Sequence, residues 1–355
     1  IICTQYLGQK NHEMANKSAR QALFIITAIS VCIVTLGLIF RAPLLSFIFG
    51  KVDADVMDNS MVYFFYTVLS YPFIALYDAG ASIFRAQENT RGPMVISIIS
   101  NVMNIGGNAV LIWVFHMGVA GAAISTLVSR IFCAVVVLYQ LRKDRQPIAV
   151  KDYLNIRPDG NMIKRILALG VPSGVENSMF QLGKLAIQST VSTLGTTAIA
   201  AQAMTNIMEM LNGTAVIGVG IGLMTVVGQS LGAGRKDEAV YYMKKLMIFS
   251  EGFLIACCAI VYALAKPITM IGGMEPESAK MCLNMIFWIT IVKPLVWMPA
   301  FIPAYGMRPA GDVKFSMIVS CCTMWACRFC LCVFLIRVMG FGPMGVWIGM
   351  FADWT

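Results

Sequence analysis

The chain has 355 residues, of which 58% are hydrophobic and only 13% charged, with a mean hydropathy of +0.74; a soluble domain carries roughly 25% charged residues. This composition excludes a water-soluble globular protein and indicates a chain that crosses a bilayer repeatedly, by helices, because its apolar runs lack the strict alternation of barrel strands. The net charge of +9 reads as membrane topology and attraction to anionic lipid, and nucleic-acid binding is not expected.

In chain order, Gln5-Tyr6-Leu7-Gly8 precedes a polar helix start at His12, Glu13, Lys17 and Arg20, which runs into an uncharged stretch from 22 to 40. Apolar runs between charged punctuation predict spans near 21–44, 60–84, 92–115 and 119–141. The one long polar stretch, 142–161, follows. Further spans are predicted near 162–194, 197–228, 239–264, 281–306 and 313–338, with pieces of two more at the ends. This divides the chain into a first bundle at 1–141, a linker at 142–161 and a second bundle at 162–355.

The second half repeats the first. Gln5 to Gly8 returns 224 positions later as Gln229-Ser230-Leu231-Gly232. Arg85 to Asn89 corresponds to Arg308-Pro309-Ala310-Gly311-Asp312, and Gly118 to Gly121 corresponds to Gly342 to Gly345. Three anchors in one order and nearly one spacing are a mark of secondary transporters. Six crossings separate the two Gln-x-Leu-Gly motifs, so the copies are parallel. By the same symmetry, about 60 residues forming two helices are expected before Ile1, and about ten after Thr355.

Lys and Arg collect between alternate spans, at Lys10, Lys17 and Arg20, at Arg85 and Arg91, from Arg142 to Arg165, from Arg235 to Lys245, and at Arg308 and Lys314. The opposite loops carry Asp53, Asp55, Asp58, Glu275 and Glu277, with Arg41, Lys51, Lys266, Lys280 and Arg337. The positive-inside rule puts the first set, and with it the linker, in the cytoplasm.

Charged and amide side chains within spans are costly in lipid and are the candidates for function. Glu176 and Lys184 are eight residues apart on one helix, near one face with Gln181 and Gln188; Glu209 follows on the next helix beside Asn206 and Asn212. They are candidates for lining a cavity that binds a cation, a proton or a charged organic molecule, or for holding the bundle together. Asn101, Asn104 and Asn108 form one stripe, suited to lining a cavity or bonding helix to helix. Asp78, Arg130, Glu251, Lys293 and Arg328 raise the same alternatives, with pairing across helices the default for Arg130 and Glu251. Gly170, Pro172 and Gly174 mark a helix that can hinge, as do Gly218, Gly220 and Gly222, and close helix packing is the other explanation for the glycines. Gln5, Gly8, Gln229, Gly232, Arg308 and Asp312 read as turn residues that fix the bundles and close a cytoplasmic gate. Cys327-x-x-Cys330 within a span reads as packing, and no metal site or catalytic residue is expected.

The Gln-x-Leu-Gly motif, Arg308-x-x-Gly311-Asp312, the helix start Gly170-Val171-Pro172-Ser173-Gly174 and the Asn101/Asn104/Asn108 helix together resemble the multidrug and toxic compound extrusion (MATE) family, bacterial type, over essentially the whole chain. The resemblance implies an all-α polytopic membrane protein of two parallel six-helix bundles around a central cavity. It implies a monomer of the bacterial cytoplasmic membrane that exports organic, often cationic, compounds in exchange for Na⁺ or H⁺, with no cofactor. The sequence departs from the family where some members place an acidic residue: 293–305 contains no carboxylate and has Lys293 instead. The rival within the same superfamily is a lipid-linked oligosaccharide flippase, which needs an arginine-rich cavity. An enzyme is opposed by the presence of only His12 and His116 and by the absence of a nucleophile motif.

Overall fold

The structure is a computed structural model that describes residues 1–49, 54–143, 146–151, 153 and 157–355. Lys51, Asp53 and Arg145, named above for their charge, lie outside the described residues. The described chain is helical throughout: α1 (Ile2–Gly8), α2 (His12–Ile39), α3 (Arg41–Phe49), α4 (Ala54–Leu69), α5 (Tyr71–Ala86), α6 (Arg91–Ala109), α7 (Gly118–Leu141), α8 (Gly160–Val191), α9 (Thr196–Gly232), α10 (Lys236–Ile271), α11 (Pro276–Ala310), α12 (Val313–Cys322), α13 (Leu331–Arg337) and α14 (Met344–Trp354). Wider π-helical turns at Val110–Val114 and Thr323–Cys330 extend α6 and join α12 to α13.

Eight helical segments among the described residues are long and apolar enough to cross a membrane. They account for eight of the nine full spans expected. The ninth, 162–194, is the continuous 32-residue α8, but Lys164, Arg165, Glu176 and Lys184 make it too polar to join the eight. The span near 60–84 runs as Ala54–Ala86 and breaks between α4 and α5 at Ser70, two residues before Pro72. Pro72 has no N–H to donate into the preceding turn. The break leaves the Ser70 hydroxyl, wholly buried, accepting from Arg130 Nη1 at 2.6 Å.

Contacts divide the chain into Ile2–Ile166 and Leu167–Thr355. In the first unit Ala15, Ala19, Leu23, Phe84, Val137 and Leu141 form the core. The small alanines of α2 let its start approach α5, and Gly80 of α5 is pressed against Val137 of α7, where a Cβ would lie 2.9 Å from a valine methyl. In the second unit α9, α10 and α11 carry the main core through Val216, Leu223, Leu254, Trp297 and Ile302.

The internal repeat is visible in the backbone itself. After α1, the N–H groups of Gln9, Lys10 and Asn11 donate to the carbonyls of Gln5, Leu7 and Tyr6; after α9, those of Ala233, Gly234 and Arg235 donate to Gln229, Leu231 and Ser230. After α5, Glu88 and Asn89 donate to Arg85 and Phe84; after α11, Gly311 and Asp312 donate to Arg308 and Met307. The left-handed residues match pairwise: Lys10 (φ 58°) with Gly234 (φ 77°), Glu88 (φ 64°) with Gly311 (φ 97°), His116 (φ 52°) with Gly340 (φ 68°) and Gly118 (φ 53°) with Gly342 (φ 60°). These bonds satisfy the orphan carbonyls of the helix ends, which is why the turn geometry persists where the residue types have diverged.

The polar stretch after α7 is fastened to the first unit. The amide of Asn16 on α2 accepts from Ala149 N–H at 2.9 Å and donates to the Pro147 carbonyl at 3.3 Å. Gln21 donates to the Arg157 carbonyl at 2.6 Å, and Lys17 pairs with Asp159 at 2.5 Å. The Lys17 ammonium, helped by the Met162 N–H, holds the Asp159 carboxyl below the usual carboxylate range. Tyr153 donates its hydroxyl to the Leu138 carbonyl at 2.6 Å, and burial pushes that hydroxyl up to about 12.

Candidate functional site

In the second unit three elements converge on Glu176. It projects from α8, the Arg308 guanidinium reaches it from the end of α11, and Ser320 of α12 donates its hydroxyl. Arg308 Nη2 lies 3.2 Å from both carboxylate oxygens, and Ser320 Oγ lies 3.1 Å from one of them. Arg308 also stacks over the Tyr305 ring at 5.4 Å. The charges are compensated, as burial of a carboxylate requires.

This cluster borders a cavity of about 590 Å³. Space opens there because the facing wall of α11 is built from Pro299, Ala300 and Ala304, which are small. Phe180, Phe301, Tyr305 and Trp354 supply aromatic surface, while Glu176, Asp353 and Arg308 supply two negative charges and one positive. Aromatic rings beside carboxylates suit a planar organic cation. Pro299 and Pro303 also remove N–H donors from α11, so the helix can deform beside the cavity.

A second charged pair is more deeply placed. Lys293 of α11 is wholly buried and donates to Glu209 Oε1 at 2.6 Å and to the Glu209 main-chain carbonyl at 3.1 Å. Its ammonium lies over the Trp297 ring at 5.3 Å. Gly213 makes room for it, since a Cβ there would meet Lys293 Nζ at 3.3 Å. Beside this pair, Asn212 is fully buried with both amide atoms unpartnered. A third pair joins Arg328, in the π-helical turn, to Asp353 of α14 at 2.6 Å, each side chain 3% exposed. The Arg328 guanidinium also packs on Phe180 at 5.0 Å.

The sequence-derived candidates therefore separate. Glu176 and Arg308 meet at the cavity, and Glu209 meets Lys293. Lys184, Gln181 and Gln188 are exposed and do not line the cavity with Glu176; over eight residues the helix drifts far enough to turn Lys184 away. Arg308, expected as a turn residue, keeps that place in the backbone and extends its head into the site. Asp312, four residues on, is exposed, and Gln5 accepts from Arg165 at 3.2 Å in the first unit. Gly8, Gln229 and Gly232 stand in the duplicated turns.

In the first unit, Asn104 donates to Thr126 at 3.3 Å, Ser125 donates to the Asn104 carbonyl at 2.9 Å, and Asn108 donates to Asn104 at 3.3 Å. The stripe ties α6 to α7, while Asn101 is exposed. Asp78 is exposed on α5 in the field of Arg85 and Arg130. Pro172 lies inside α8, and a Cβ at Gly170 or Gly174 would meet nothing within 4 Å, so close packing does not explain these glycines. Gly220 differs, facing the Tyr305 ring at 2.9 Å.

The sequence analysis did not single out Ser320, the cavity aromatics, Asp353 or Gln202. Asp353 was detectable as a lone carboxylate in the final apolar run. Gln202, buried and accepting from the Trp347 indole at 3.1 Å, gave no signal beyond its amide in a span.

A family model described as MatE matches residues 1–110 and 172–334. The chain belongs to the MatE family. It is accordingly a membrane transporter and not an enzyme, an all-α polytopic protein of the MatE fold. A probable multidrug resistance protein NorM of Thermotoga maritima is 22% identical over 99% of this chain and 76% of its own length. An uncharacterized transporter, YisQ of Bacillus subtilis, is 25% identical over 99% of this chain and 78% of its own. Among solved structures, an outward-facing multidrug resistance MATE family transporter of the MOP superfamily superposes with a TM-score of 0.90 at 17% identity, covering 99% of this chain and 78% of that one. At that identity the superposition speaks for the fold alone. Among the described residues of this MatE transporter no group of three or more His, Cys, Asp or Glu is placed to hold a metal ion.

Proposed function

We propose that this protein is a multidrug exporter of the bacterial cytoplasmic membrane that moves organic cations by alternating access in exchange for Na⁺ or H⁺, as a monomer with its linker in the cytoplasm. The observation that carries the reading is the Glu176 carboxylate at the wall of an aromatic cavity, held by Arg308 and Ser320 rather than sealed in a core. A planar cation entering the cavity competes with Arg308 for that carboxylate. A proton or Na⁺ arriving at Glu176 competes with the cation, and this exclusion is the elementary requirement of exchange. Glu209 is the lesser candidate for coupling, because its partner Lys293 is wholly buried and neither residue lines the cavity. The unpacked Gly170 and Gly174 around Pro172 support a hinge on the helix that carries Glu176.

The relatives named as multidrug resistance proteins support the same substrate class. The flippase alternative is disfavoured by the cavity wall, where Arg308 is the only arginine among the described residues.

The test is ethidium efflux from cells lacking their own pumps, with membrane levels matched. Wild type is expected to export the dye and Glu176→Gln to lose at least about tenfold in rate. Removing Na⁺, and separately collapsing the proton gradient, identifies the coupling ion. Well-inserted wild-type protein that exports no dye overturns the reading.

A further inference from the structure

The two carboxylates of the cavity at Glu176 are neutralised in different ways. Asp353 is paired with Arg328 at 2.6 Å, and both side chains are 3% exposed. Arg328 does not line the cavity, and its guanidinium is covered by the ring of Phe180, which does. The backbone fixes this pair. At Gly349, one turn before Asp353 on α14, a Cβ would lie 3.0 Å from the Arg328 carbonyl, so α14 is seated directly on the π-helical turn. A ligand in the cavity therefore meets an Asp353 already neutralised from behind the wall. Glu176 is neutralised from inside the cavity instead. Arg308 is itself a lining residue, its side chain 21% exposed, and it reaches the carboxylate through one nitrogen at 3.2 Å rather than through the two-pronged contact of the strongest pairs.

Charge balance then limits the occupant. The charges of Glu176, Asp353, Arg308 and Arg328 sum to zero. A ligand cation that takes over the Glu176 carboxylate displaces Arg308 from it, but Arg308 stays in the wall, so the cavity offers one carboxylate to one positive charge. A second positive charge on the same molecule meets Arg308 and finds no unpaired carboxylate side chain among the described lining residues. In a partly desolvated cavity, like charges several ångströms apart repel by more than the thermal energy. Taking the cavity as the drug site proposed above, we infer that it selects organic cations with a single positive charge and rejects dications of the same ring system, and that Arg308 is the residue that sets this limit.

The test measures, by fluorescence anisotropy, the binding of two dyes to the purified protein in neutral detergent: ethidium, a monocation, and propidium, which has the same phenanthridinium ring and one further quaternary ammonium. Wild type is expected to bind ethidium at least about tenfold more tightly. Arg308→Gln removes the repelling charge and is expected to narrow that ratio to about threefold or less, whereas Arg308→Lys keeps the charge and should keep the preference. Lys244→Gln, the loss of an exposed charge outside the cavity, is expected to leave the ratio as in wild type. Equal binding of the two dyes by wild type overturns the charge limit. A ratio that persists unchanged in Arg308→Gln assigns the preference to the size of propidium and overturns it as well. Binding of neither dye by well-folded protein is a different failure, which overturns the cavity as the drug site and the charge limit with it.

Discussion

The two units close their helices with the same turns but compensate their interior polarity differently. The first uses neutral partners, even for a charge: Asn104 with Thr126, Ser100 with the Ser129 carbonyl, and the Arg130 guanidinium on the Ser70 hydroxyl. The second uses ion pairs: Glu176 with Arg308, Glu209 with Lys293, and Arg328 with Asp353. Turn geometry is a backbone property that survives changes of side chain, whereas interior chemistry depends on partners from distant segments. A duplicated chain can therefore keep the first while the second diverges.

The largest expected effect tests this contrast directly. Arg328→Met leaves Asp353 charged, buried and alone, and is expected to cost about 3–5 kcal/mol. Adding Asp353→Leu should restore most of it. Arg130→Met removes a charged hydrogen bond to a hydroxyl and a cation near the exposed Asp78, and should cost about 2 kcal/mol. Thermal unfolding in detergent measures all three, and equal losses at Arg328 and Arg130 would erase the distinction between the units.

The turns provide the next test. Gly234→Ala and Gly311→Ala force a Cβ into left-handed backbone and should each cost about 1–2 kcal/mol. In the first unit, Lys10→Gly and Glu88→Gly relieve that conformation but loosen the unfolded chain, for a net change of about half a kcal/mol or less. A large gain from either would mean that the first copy stores real strain.

Asn104→Ala removes the bridge between α6 and α7, and bonds of this kind average about 0.6 kcal/mol in membrane proteins. The same melting assay resolves it from the ion-pair variants by its size.

The smallest effect concerns the linker. Because Lys17 lowers the Asp159 carboxyl, the stabilisation is complete above the carboxyl's unfolded value and is lost as pH falls through its lowered folded value. Cleavage of the linker by pepsin should rise only at the acid end of a titration from about pH 5 to about pH 2. In Lys17→Met the rise should move up toward the ordinary carboxylate range.

The spans and the repeat were legible because each rests on local composition or on comparing one stretch of chain with another. The partners were not. Glu176 and Lys184 looked like neighbours along one helix, yet the true partner of Glu176 lies 132 residues away, and that of Lys293 lies 84 away. A buried charge announces that it needs a partner without naming it, since the partner is chosen by how helices pack. Arg308 was readable as a turn residue because the turn is local; its second role required the third dimension.

Lys293 has an electrical side. A transporter that reorients in a polarised membrane does work of about 2.3 kcal/mol for each elementary charge carried through 100 mV. A free cation at Glu209 would have to be loaded and released, and its charge would appear in the transport current. An ammonium tethered to α11 never leaves, so the Glu209–Lys293 pair travels as a neutral dipole and contributes nothing to that current. Under the exchange proposed at Glu176, the voltage dependence of the cycle then falls on whatever occupies that cavity.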